Sequence, residues 1–468
     1  CAHRFGWLTP AQLAQRLEDT LATLDTLARH QGHFLNWYDT QTLAPLAPAY
    51  VSVVDSGNLC GHLIALAGAC DALAARPADD ADRACNAPLR LIALAAQCRR
   101  LALEAEFAFM YDERRRLFHI GYLVEEQTLD KSYYDLLASE ARLASLWAIA
   151  KGDVPVKHWA ALGRPFFATG SEAGLRSWSG SMFEYLMPSL VLEELPGSAL
   201  ASAAQAAVRE HRAFGRTHGV PWGLSESAYA ASDHTLAYQY SPQGVPRLAL
   251  RRTPADEIVV APYATALAAM FEPAAAIDNL RRMEGLNARR EMGFAEALDF
   301  VADRQTDGSA FTVVSTFMAH HQGMTLIAVL NTLQQGLMRS RFHREPMISA
   351  CELLLQERVP RDVLNAHPKA EAVTIAAGSS SESLTDRFAT LSNLVLDQAS
   401  YVNQQLDLDL TQTNSLIRNI SELNRSIAGF GRGDNNQPPL DLLDRRDEAL
   451  RQLSEKLDIK VLDSDNGE

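Results

Sequence analysis

Three clusters of tryptophan and carboxylate side chains are the first feature of this chain to suggest a chemical function. They are Trp37-Tyr38-Asp39, Trp178 with Glu184 and Tyr185, and Trp222 with Glu226 and Tyr229. Aromatic rings stack on the C–H faces of pyranose sugars, and carboxyl groups hydrogen-bond sugar hydroxyls or cleave glycosidic bonds. The clusters therefore predict a sugar-binding cleft built from loops.

A fourth carboxylate, Glu140, stands out by its spacing. Leu136, Glu140, Leu143 and Trp147 recur at helical intervals, so a helix over about 132–151 would carry Glu140 on its apolar stripe. A carboxylate there must be paired, protonated or facing a polar cavity, because an unpaired buried charge is strongly disfavoured. Burial would raise its pKa, which suits acid–base catalysis. The alternative is a salt bridge to an arginine of another helix.

The other acids have structural alternatives as well. Glu226 follows Pro221 and Gly223 in a predicted tight loop, the kind of segment on which catalytic groups are often placed, but it could equally cap a helix or be solvated. Glu184 is predicted to open a helix, where its alternative role is to stabilise the helix N-terminus. Asp55 has the alternative role of capping the following helix.

The adjacent histidines at 320 and 321 could suggest a metal site, but their spacing does not favour one. Neighbouring residues point in different directions on a helix, and no nearby His or Cys completes a ligand set. We therefore expect His320, His321 and Gln322 to hydrogen-bond a ligand or to pack between helices, with no metal. No Gly-rich phosphate loop or nucleophilic-serine elbow is present in the sequence, so no cofactor is expected.

The elements that must position these residues are mainly helices. Thr9 and Gln12 form a predicted capping box around Pro10, and further helical patterns cover about 61–109 in two pieces, 199–218, 263–282, 292–302 and 318–341. Strand signals are short, with a hairpin over 111–120 and strands at 246–251 and 257–261. This alternation predicts a mostly α domain whose functional loops gather on one face.

Composition narrows the class of protein. The chain has 468 residues and a formal net charge of −14, which argues against nucleic acid as a partner. Its six cysteines lack Cys-x-x-Cys spacing, which favours reduced thiols. No uninterrupted apolar run approaches the roughly 18 residues of a membrane helix, and no signal peptide is expected. Because the chain opens on Cys1 instead of Met, we expect a fragment or a processed product.

The last hundred residues differ from the rest. Asparagine is sparse before about position 362 and frequent after it, and the Gly378 to Ser381 stretch is typical of a linker. Apolar residues then recur at heptad-like spacing from Leu384 and again from Leu416, which predicts a helical, coiled-coil-like tail. The predicted domains are therefore 1–362 and 363–468.

Residues 1–362 resemble the glycoamylase-like central domain of bacterial cyclic β-1,2-glucan synthases. The stretches that carry the resemblance are 32–40, 50–59, 132–142, 178–188, 219–229, 261–266, 319–324 and 354–358. The resemblance implies an (α/α)6 toroid that closes linear β-1,2-glucan into a ring by retaining transglycosylation. It also implies flanking glycosyltransferase and phosphorylase-like domains, in a larger protein at the cytoplasmic side of the bacterial inner membrane.

The resemblance further implies roles for individual residues. Glu140 is expected to be the nucleophile and Glu226 the acid/base, although the two roles could be exchanged. The residues expected to bind the glucan are Trp37, Tyr38, Asp39, Asp55, Asp135, Trp178, Glu184, Tyr185, Trp222, Tyr229, Tyr238, Tyr240, His320, His321 and Gln322. An endo-β-1,2-glucanase is the alternative within the same class, since it differs in using water as the acceptor.

Residues 363–468 resemble an unrelated structural protein, the core of flagellar hook-associated protein 1, through the stretches 383–388, 414–424 and 440–448. Such a segment implies no catalysis. A flagellar hook–filament junction protein is therefore the alternative function of a different class, and a catalytically inactive sugar-binding toroid is a third. Because no known family joins these two parts, we expect an artificial or assembly-error chimera in preference to a natural fusion.

Overall fold

The chain divides into two compact units, Cys1–Pro368 and Lys369–Glu468. The structure, a computed structural model, describes residues 1–77, 82–83, 85–169, 172–232, 237–252, 254, 256–305, 308–360, 418–427 and 440–454. Each unit is described by itself.

Helices dominate the first unit. They are α1 (Pro10–Thr26), α2 (Val53–Ala74), α3 (Ala87–Glu104), α4 (Arg142–Lys151), α5 (Lys157–Ala161), α6 (Met182–Leu186), α7 (Ala199–His218), α8 (Pro262–Ala268), α9 (Pro273–Gly285), α10 (Ala319–Leu333), α11 (Leu337–His343) and α12 (Pro346–Ser349). This confirms the predicted mostly α class.

Short antiparallel sheets connect the helices. The two-stranded ones are β1 (Arg29–His30) with β2 (His33–Phe34), β9 (Phe166–Thr169) with β10 (Glu172–Leu175), β11 (Ser227–Ser232) with β12 (Tyr238–Ser241), and β14 (Arg289–Arg290) with β15 (Gly293–Phe294). The three-stranded ones are β3 (Tyr50–Ser52), β6 (Gly121–Leu123) and β7 (Thr128–Leu129); β4 (Tyr111–Asp112), β5 (Leu117–His119) and β8 (Tyr133–Tyr134); and β13 (Val259–Val260), β16 (Ala297–Asp299) and β17 (Thr312–Val314).

Helix starts follow local chemistry. At α1 the Thr9 hydroxyl accepts from the Gln12 N–H while the Gln12 side chain accepts from the Thr9 N–H, and Pro10 occupies the first helical position, as predicted. At α2 the Ser52 hydroxyl accepts from the Asp55 N–H at 3.2 Å. Ser52 is therefore the N-cap, and the capping role considered for Asp55 is wrong.

The core of the unit forms where α2 meets its neighbours. Leu63, Ile64 and Cys70 of α2 are buried together with Leu91 and Cys98 of α3. On another face, α2 approaches α4 so closely that a Cβ atom built on Gly57 would lie 2.3 Å from the Cβ of Ala144. Glycine is required there because no side chain fits between the two helices.

Helix α2 bears on the expectation about membrane segments. Among the described residues, it is the one helix long and apolar enough to cross a membrane by length and composition, although no membrane is present. Some 67% of its apolar window is buried inside the unit, as in the core helix of a globular domain.

Two predicted elements are wrong. The helix expected over 292–302 is instead the strands β15 and β16, followed by a 3-10 turn at Ala302–Arg304. The strand expected at 246–251 is a turn with one isolated bridge between Ser177 and Ala249. Both errors come from apolar runs too short to separate a period of 3.6 residues from a period of 2.

In the second unit the described residues are helical. Residues 418–427 form one helical segment, and α13 (Leu440–Ser454) forms another. The predicted linker at 378–381 and the heptad positions from Leu384 lie outside the described residues.

Candidate active site

Glu140 lies in the turn between β8 and α4, directly before the first turn of the helix. The predicted helix is thus wrong in its first half: β8, a bridge from Leu136 to Gly163 and a turn precede Arg142. Glu140 is consequently held by a turn and does not lie on a helical stripe. The Ser139 hydroxyl donates to its Oε2 at 3.0 Å.

Burial is the main influence on the Glu140 carboxyl group. Together with the charge of Glu184, it raises the pKa of Glu140 from 4.5 to about 7, while the hydrogen bond from Ser139 and the charge of Arg142 act in the opposite direction. The Glu140 carboxyl group therefore changes its protonation state near neutral pH. A catalytic acid/base needs this property, because it first donates a proton and later accepts one.

Glu226 occupies a bend directly before β11 and is partly buried. Burial raises its pKa well above the usual value, and the charges of Glu140, Glu184 and Asp55 add to the rise, while Arg251 opposes it. The charge of Glu140 thus acts on Glu226, which indicates that the two carboxyl groups are near enough to influence each other.

Asp55, Tyr134 and Tyr240 face the same region. The charges of Glu140, Asp55 and Glu226 add to the effect of burial in raising the pKa of Tyr134, and those of Glu226 and Asp55 do so for Tyr240. The Asp55 carboxylate is exposed in the first turn of α2. The expected position of Asp55 at the cleft is therefore supported by its electrostatic influence on Glu226.

Glu184 has a different environment from the one expected of a sugar ligand. It is buried, and its carboxylate accepts from the hydroxyls of Ser177, Ser179 and Ser181 at 2.8, 2.5 and 3.0 Å. It also accepts from the N–H groups of Ser179 and Ser181, both at 2.9 Å, in the capping box of α6. With its carboxyl oxygens engaged by these five donors, Glu184 is held by the protein itself, and direct glucan binding is not supported.

Arg142 connects the turn of Glu140 to α6. Its Nη1 donates to the carbonyl oxygens of Ser139 and Glu184 at 3.1 and 2.8 Å, and its Nη2 donates to that of Tyr185 at 2.5 Å. Its ion pair is with Glu194. Glu140 is therefore not neutralised by a direct salt bridge to Arg142, although Arg142 fixes its position.

Exposed aromatic side chains supply surfaces on which a sugar could stack. Four of the expected binding residues qualify, with exposed fractions of 50% for Trp37, 60% for Trp178, 56% for Tyr238 and 39% for Tyr240. Asp135 is exposed as well. These residues keep their predicted role as candidates for binding.

Three expected binding residues are instead parts of the core or of its edge. The Tyr185 hydroxyl donates to the carbonyl oxygen of Leu175 at 2.8 Å, and Tyr185 and Trp222 are both buried. Tyr229 is partly buried, and its ring lies 4.7 Å from the guanidinium carbon of Arg304. An aromatic ring in a core makes the same sequence pattern as an aromatic ring in a cleft, so the sequence could not separate the two environments.

The Trp37-Tyr38-Asp39 cluster divides in the same way. The Tyr38 hydroxyl donates to the carbonyl oxygen of Ala28 and accepts from the Leu35 N–H, each at 2.7 Å. Asp39 Oδ1 accepts from the N–H groups of Gln41 and Thr42 at 2.9 and 2.7 Å, which lowers the pKa of Asp39. Both residues shape the loop that presents the Trp37 ring.

The histidine pair is likewise split. His320 is exposed, whereas His321 is buried against Glu296 and stacks on Tyr263. The Gln322 Nε2 donates to the carbonyl oxygen of Phe294 at 3.2 Å. Sequence reasoning missed Glu296 and Tyr263, because 296 fell inside a wrongly predicted helix and an isolated tyrosine on a helix gives no signal.

An apolar hollow of about 310 Å³ lies between α8, α9 and α10 and is bounded on one side by Tyr263, Glu296 and His321. Neither Glu140 nor Glu226 lines it. The hollow is therefore separate from the two carboxyl groups. Within the described residues, no cluster of three or more His, Cys, Asp or Glu side chains could hold a metal ion.

Comparison with known proteins identifies relatives for each unit. Residues 132–346 match the Glycoamylase family. Residues 362–468 match the helical domain of the flagellar hook-associated protein FlgK. Over 81% of its length the chain is 36% identical to the cyclic β-(1,2)-glucan synthase NdvB of Rhizobium meliloti strain 1021. Both resemblances seen in the sequence are thereby confirmed. The chain spans 17% of that synthase.

Solved structures show the fold. The endo-β-1,2-glucanase of Chitinophaga pinensis, solved with sophorotriose and glucose, aligns with 76% of this chain and 84% of its own at a TM-score of 0.58 and 14% identity. The endo-β-1,2-glucanase of Talaromyces funiculosus, solved with sophorose, aligns with 76% of this chain and 77% of its own. The TM-score is 0.56 and the sequence identity is 16%. The predicted (α/α)6 toroid is therefore confirmed.

Proposed function

We propose that residues 1–362 form a carbohydrate-active domain that acts on β-1,2-glucan and closes the linear chain into a ring by retaining transglycosylation. The observation that supports the proposal is that Glu140 and Glu226, both partly buried, have raised pKa values, and that the charge of Glu140 adds to the rise at Glu226. The similarity to a cyclic β-(1,2)-glucan synthase supports the substrate and the reaction.

The pKa values of both carboxyl groups are raised, and we propose the exchanged order of roles, with Glu140 as the acid/base and Glu226 as the nucleophile. The pKa of Glu140 is raised to about 7 by burial and by the charge of Glu184, so Glu140 holds a proton below about pH 7. Burial is the main cause of the raised pKa of Glu226; a neutral Glu140 removes one of the charges that add to this rise, and Arg251 favours the Glu226 carboxylate.

The reaction then follows in two displacements. Glu140 donates its proton to the departing glycosidic oxygen as the Glu226 carboxylate bonds to the anomeric carbon, which gives a glycosyl ester. The non-reducing-end hydroxyl of the same chain next attacks that carbon and gives its proton to Glu140, and the ester bond breaks. A ring forms, and both carboxyl groups return to their initial states.

Hydrolysis is the second candidate, because two proteins of the same fold are endo-β-1,2-glucanases. Incubation with linear β-1,2-glucan followed by mass spectrometry separates the two outcomes. Cyclisation lowers the product mass by one water relative to a linear chain of equal length, whereas hydrolysis gives shorter linear chains. An unchanged substrate would contradict both and favour a binding role.

The wider context is part of the same proposal. We infer that the toroid belongs to a larger membrane-associated synthase with flanking glycosyltransferase and phosphorylase-like domains, which the 17% coverage of the relative supports. We also infer that residues 363–468, which match a flagellar helical domain, take no part in the chemistry. Deleting residues 363–468 should therefore leave glucan turnover unchanged.

A further inference from the structure

The loop that carries Glu226 is held on its first flank by a buried tyrosine that the proposed reaction does not use. The Tyr263 hydroxyl lies 2.8 Å from Ser225 Oγ and 2.9 Å from the carbonyl oxygen of Glu226. A hydroxyl has one hydrogen and a carbonyl can only accept, so Tyr263 donates to Glu226 and receives from Ser225. Ser225 Oγ accepts in turn from the Phe183 N–H at 3.0 Å.

The second flank is held by Glu296. Its Oε1 accepts from the N–H of Ala228, two residues beyond Glu226, at 3.3 Å. The same carboxylate lies 2.9 Å (Oε1) and 3.0 Å (Oε2) from Nδ1 of His321, and both side chains are 1% exposed. Because a carboxylate accepts, Nδ1 of His321 carries the hydrogen of this contact.

The two flanks are physically joined. The rings of Tyr263 and His321 stack with centroids 3.7 Å apart and planes 11° apart. Nε2 of His321 lies 3.5 Å from the hydroxyl of Tyr240, one of the exposed tyrosines of the expected cleft. A displacement of any one of these side chains would therefore be transmitted to the backbone of Glu226 and to Tyr240.

We propose that Glu296, His321 and Tyr263 form a positioning unit that fixes the backbone on both sides of Glu226 and orients the hydroxyl of Tyr240 toward the glucan. The unit acts through Glu226 and Tyr240 and has no contact with the sugar of its own. This inference rests on the proposed function, and it adds residues that the sequence did not single out. Catalysis depends on such supports, since a misplacement of about 1 Å costs on the order of 100-fold in rate.

Tyr263→Phe tests the first flank, because it removes the hydroxyl and keeps the ring that stacks on His321. In the full chain we expect kcat on linear β-1,2-glucan to fall by about 10- to 100-fold with KM within about 2-fold of wild type, since the lost contact orients a reacting group and does not hold substrate. The matched control is Tyr133→Phe, which removes the hydroxyl bonded to Asp112 at 3.0 Å. Tyr133 and Tyr134 are neighbours on β8 and point to opposite faces of the sheet.

Glu296 offers a graded test of the second flank. In Glu296→Gln the side-chain oxygen can still accept from Ala228 and His321, so we expect most of the turnover to remain. In Glu296→Ala both contacts are lost, and we expect kcat to fall at least as far as in Tyr263→Phe. Thermal unfolding of each variant shows how much protein is folded at the assay temperature, and kcat is compared at equal folded fraction.

The outcomes separate this inference from the function on which it rests. An active wild type with unchanged kcat in Tyr263→Phe, or with equal loss in Tyr133→Phe, would overturn the positioning unit alone. Equal loss in Glu296→Gln and Glu296→Ala would also overturn it. A wild type that is inactive on the glucan would overturn the proposed function and this inference together.

Discussion

Arg142 and Glu194 form an ion pair with an N–O distance of 2.8 Å, and their side chains are 2% and 1% exposed. Ser189 Oγ adds a hydrogen bond to the Glu194 carboxylate at 2.5 Å. The pair lies beneath the turn of Glu140, because Arg142 also donates to the carbonyl oxygen of Ser139. One buried charge pair therefore supports both the core and the position of a candidate catalytic residue.

Arg142→Met should lower the free energy of unfolding by about 3–5 kcal/mol, because it leaves the Glu194 carboxylate buried without its partner. Urea unfolding followed by circular dichroism measures the loss. Arg289→Met is the control, since Arg289 and Glu284 pair at 2.7 Å with side chains 63% and 48% exposed, and surface pairs of this kind contribute about 0–1 kcal/mol. Equal losses in the two variants would contradict the structural role given to Arg142.

Glu140→Gln should stabilise the protein at neutral pH while it removes turnover. The folded pKa of Glu140 is raised from 4.5 to about 7, so its contribution to stability is fully present below pH 4.5 and is lost as the pH rises to about 7. Glutamine cannot ionise and avoids this loss. Because Glu140 is partly exposed, we expect the free energy of unfolding of Glu140→Gln at pH 8 to exceed that of wild type by about 1–3 kcal/mol.

Urea unfolding of wild type and Glu140→Gln between pH 4 and pH 8 checks this expectation. Glu18→Gln is a control of opposite sign, because the hydrogen bond from Arg90 lowers the pKa of Glu18. The lowered pKa makes the ionised Glu18 favourable to folding, so that variant should lose stability relative to wild type as the pH rises. A pH-independent difference for Glu140→Gln would contradict the raised pKa.

The stereochemistry of azide products assigns the two roles. The substrate is an aryl glycoside with a good leaving group. In Glu140→Ala, azide should replace the acceptor at the intact glycosyl ester and form a β-glycosyl azide. Glu226→Ala should give the α-azide, because azide then takes the place of the missing nucleophile. Proton NMR of the anomeric signal distinguishes them, and the reverse pattern would restore the order expected from the sequence.

Trp178→Ala should weaken substrate binding and leave stability unchanged. Its ring is 60% exposed, so its loss removes little core packing but removes a stacking surface worth about 0.5–1.5 kcal/mol. We expect KM for linear β-1,2-glucan to rise by roughly 3- to 10-fold in initial-rate assays. Trp7→Ala is the control, since Trp7 is 62% exposed and pairs with Phe5 near the N-terminus. An equal rise in KM there would argue against a glucan surface at Trp178.

The sequence allowed prediction of those parts of the fold that local chemistry determines. The capping box of α1 and the long helix α7 lie where they were predicted, because hydroxyl and amide caps and a sustained apolar period act within one element. The turn at Glu140 could not be predicted in this way. It depends on the bridge between Leu136 and Gly163 and on Arg142, which bonds to groups more than forty residues away.

The candidate site shows the same division. Glu140 and Glu226 could be selected from their surroundings in the sequence, and the structure gives both a raised pKa. The burial of Glu184, Tyr185 and Trp222 could not be foreseen, since it depends on which elements pack over them. Glu296 gave no signal because its contacts to Ala228 and His321 span 68 and 25 positions.

The close approach of Gly57 to Ala144 bears on the stereochemical course of the proposed reaction. Gly57 lies two residues beyond Asp55, and Ala144 lies four residues beyond Glu140, so the crossing of α2 and α4 governs how near the turn of Glu140 comes to the rest of the cleft. Retaining and inverting carboxyl pairs differ by as little as about 1 Å in separation, less than the width of a methyl group. A hydrogen atom in place of a side chain, remote from the sugar, is then part of what sets a retaining or an inverting course.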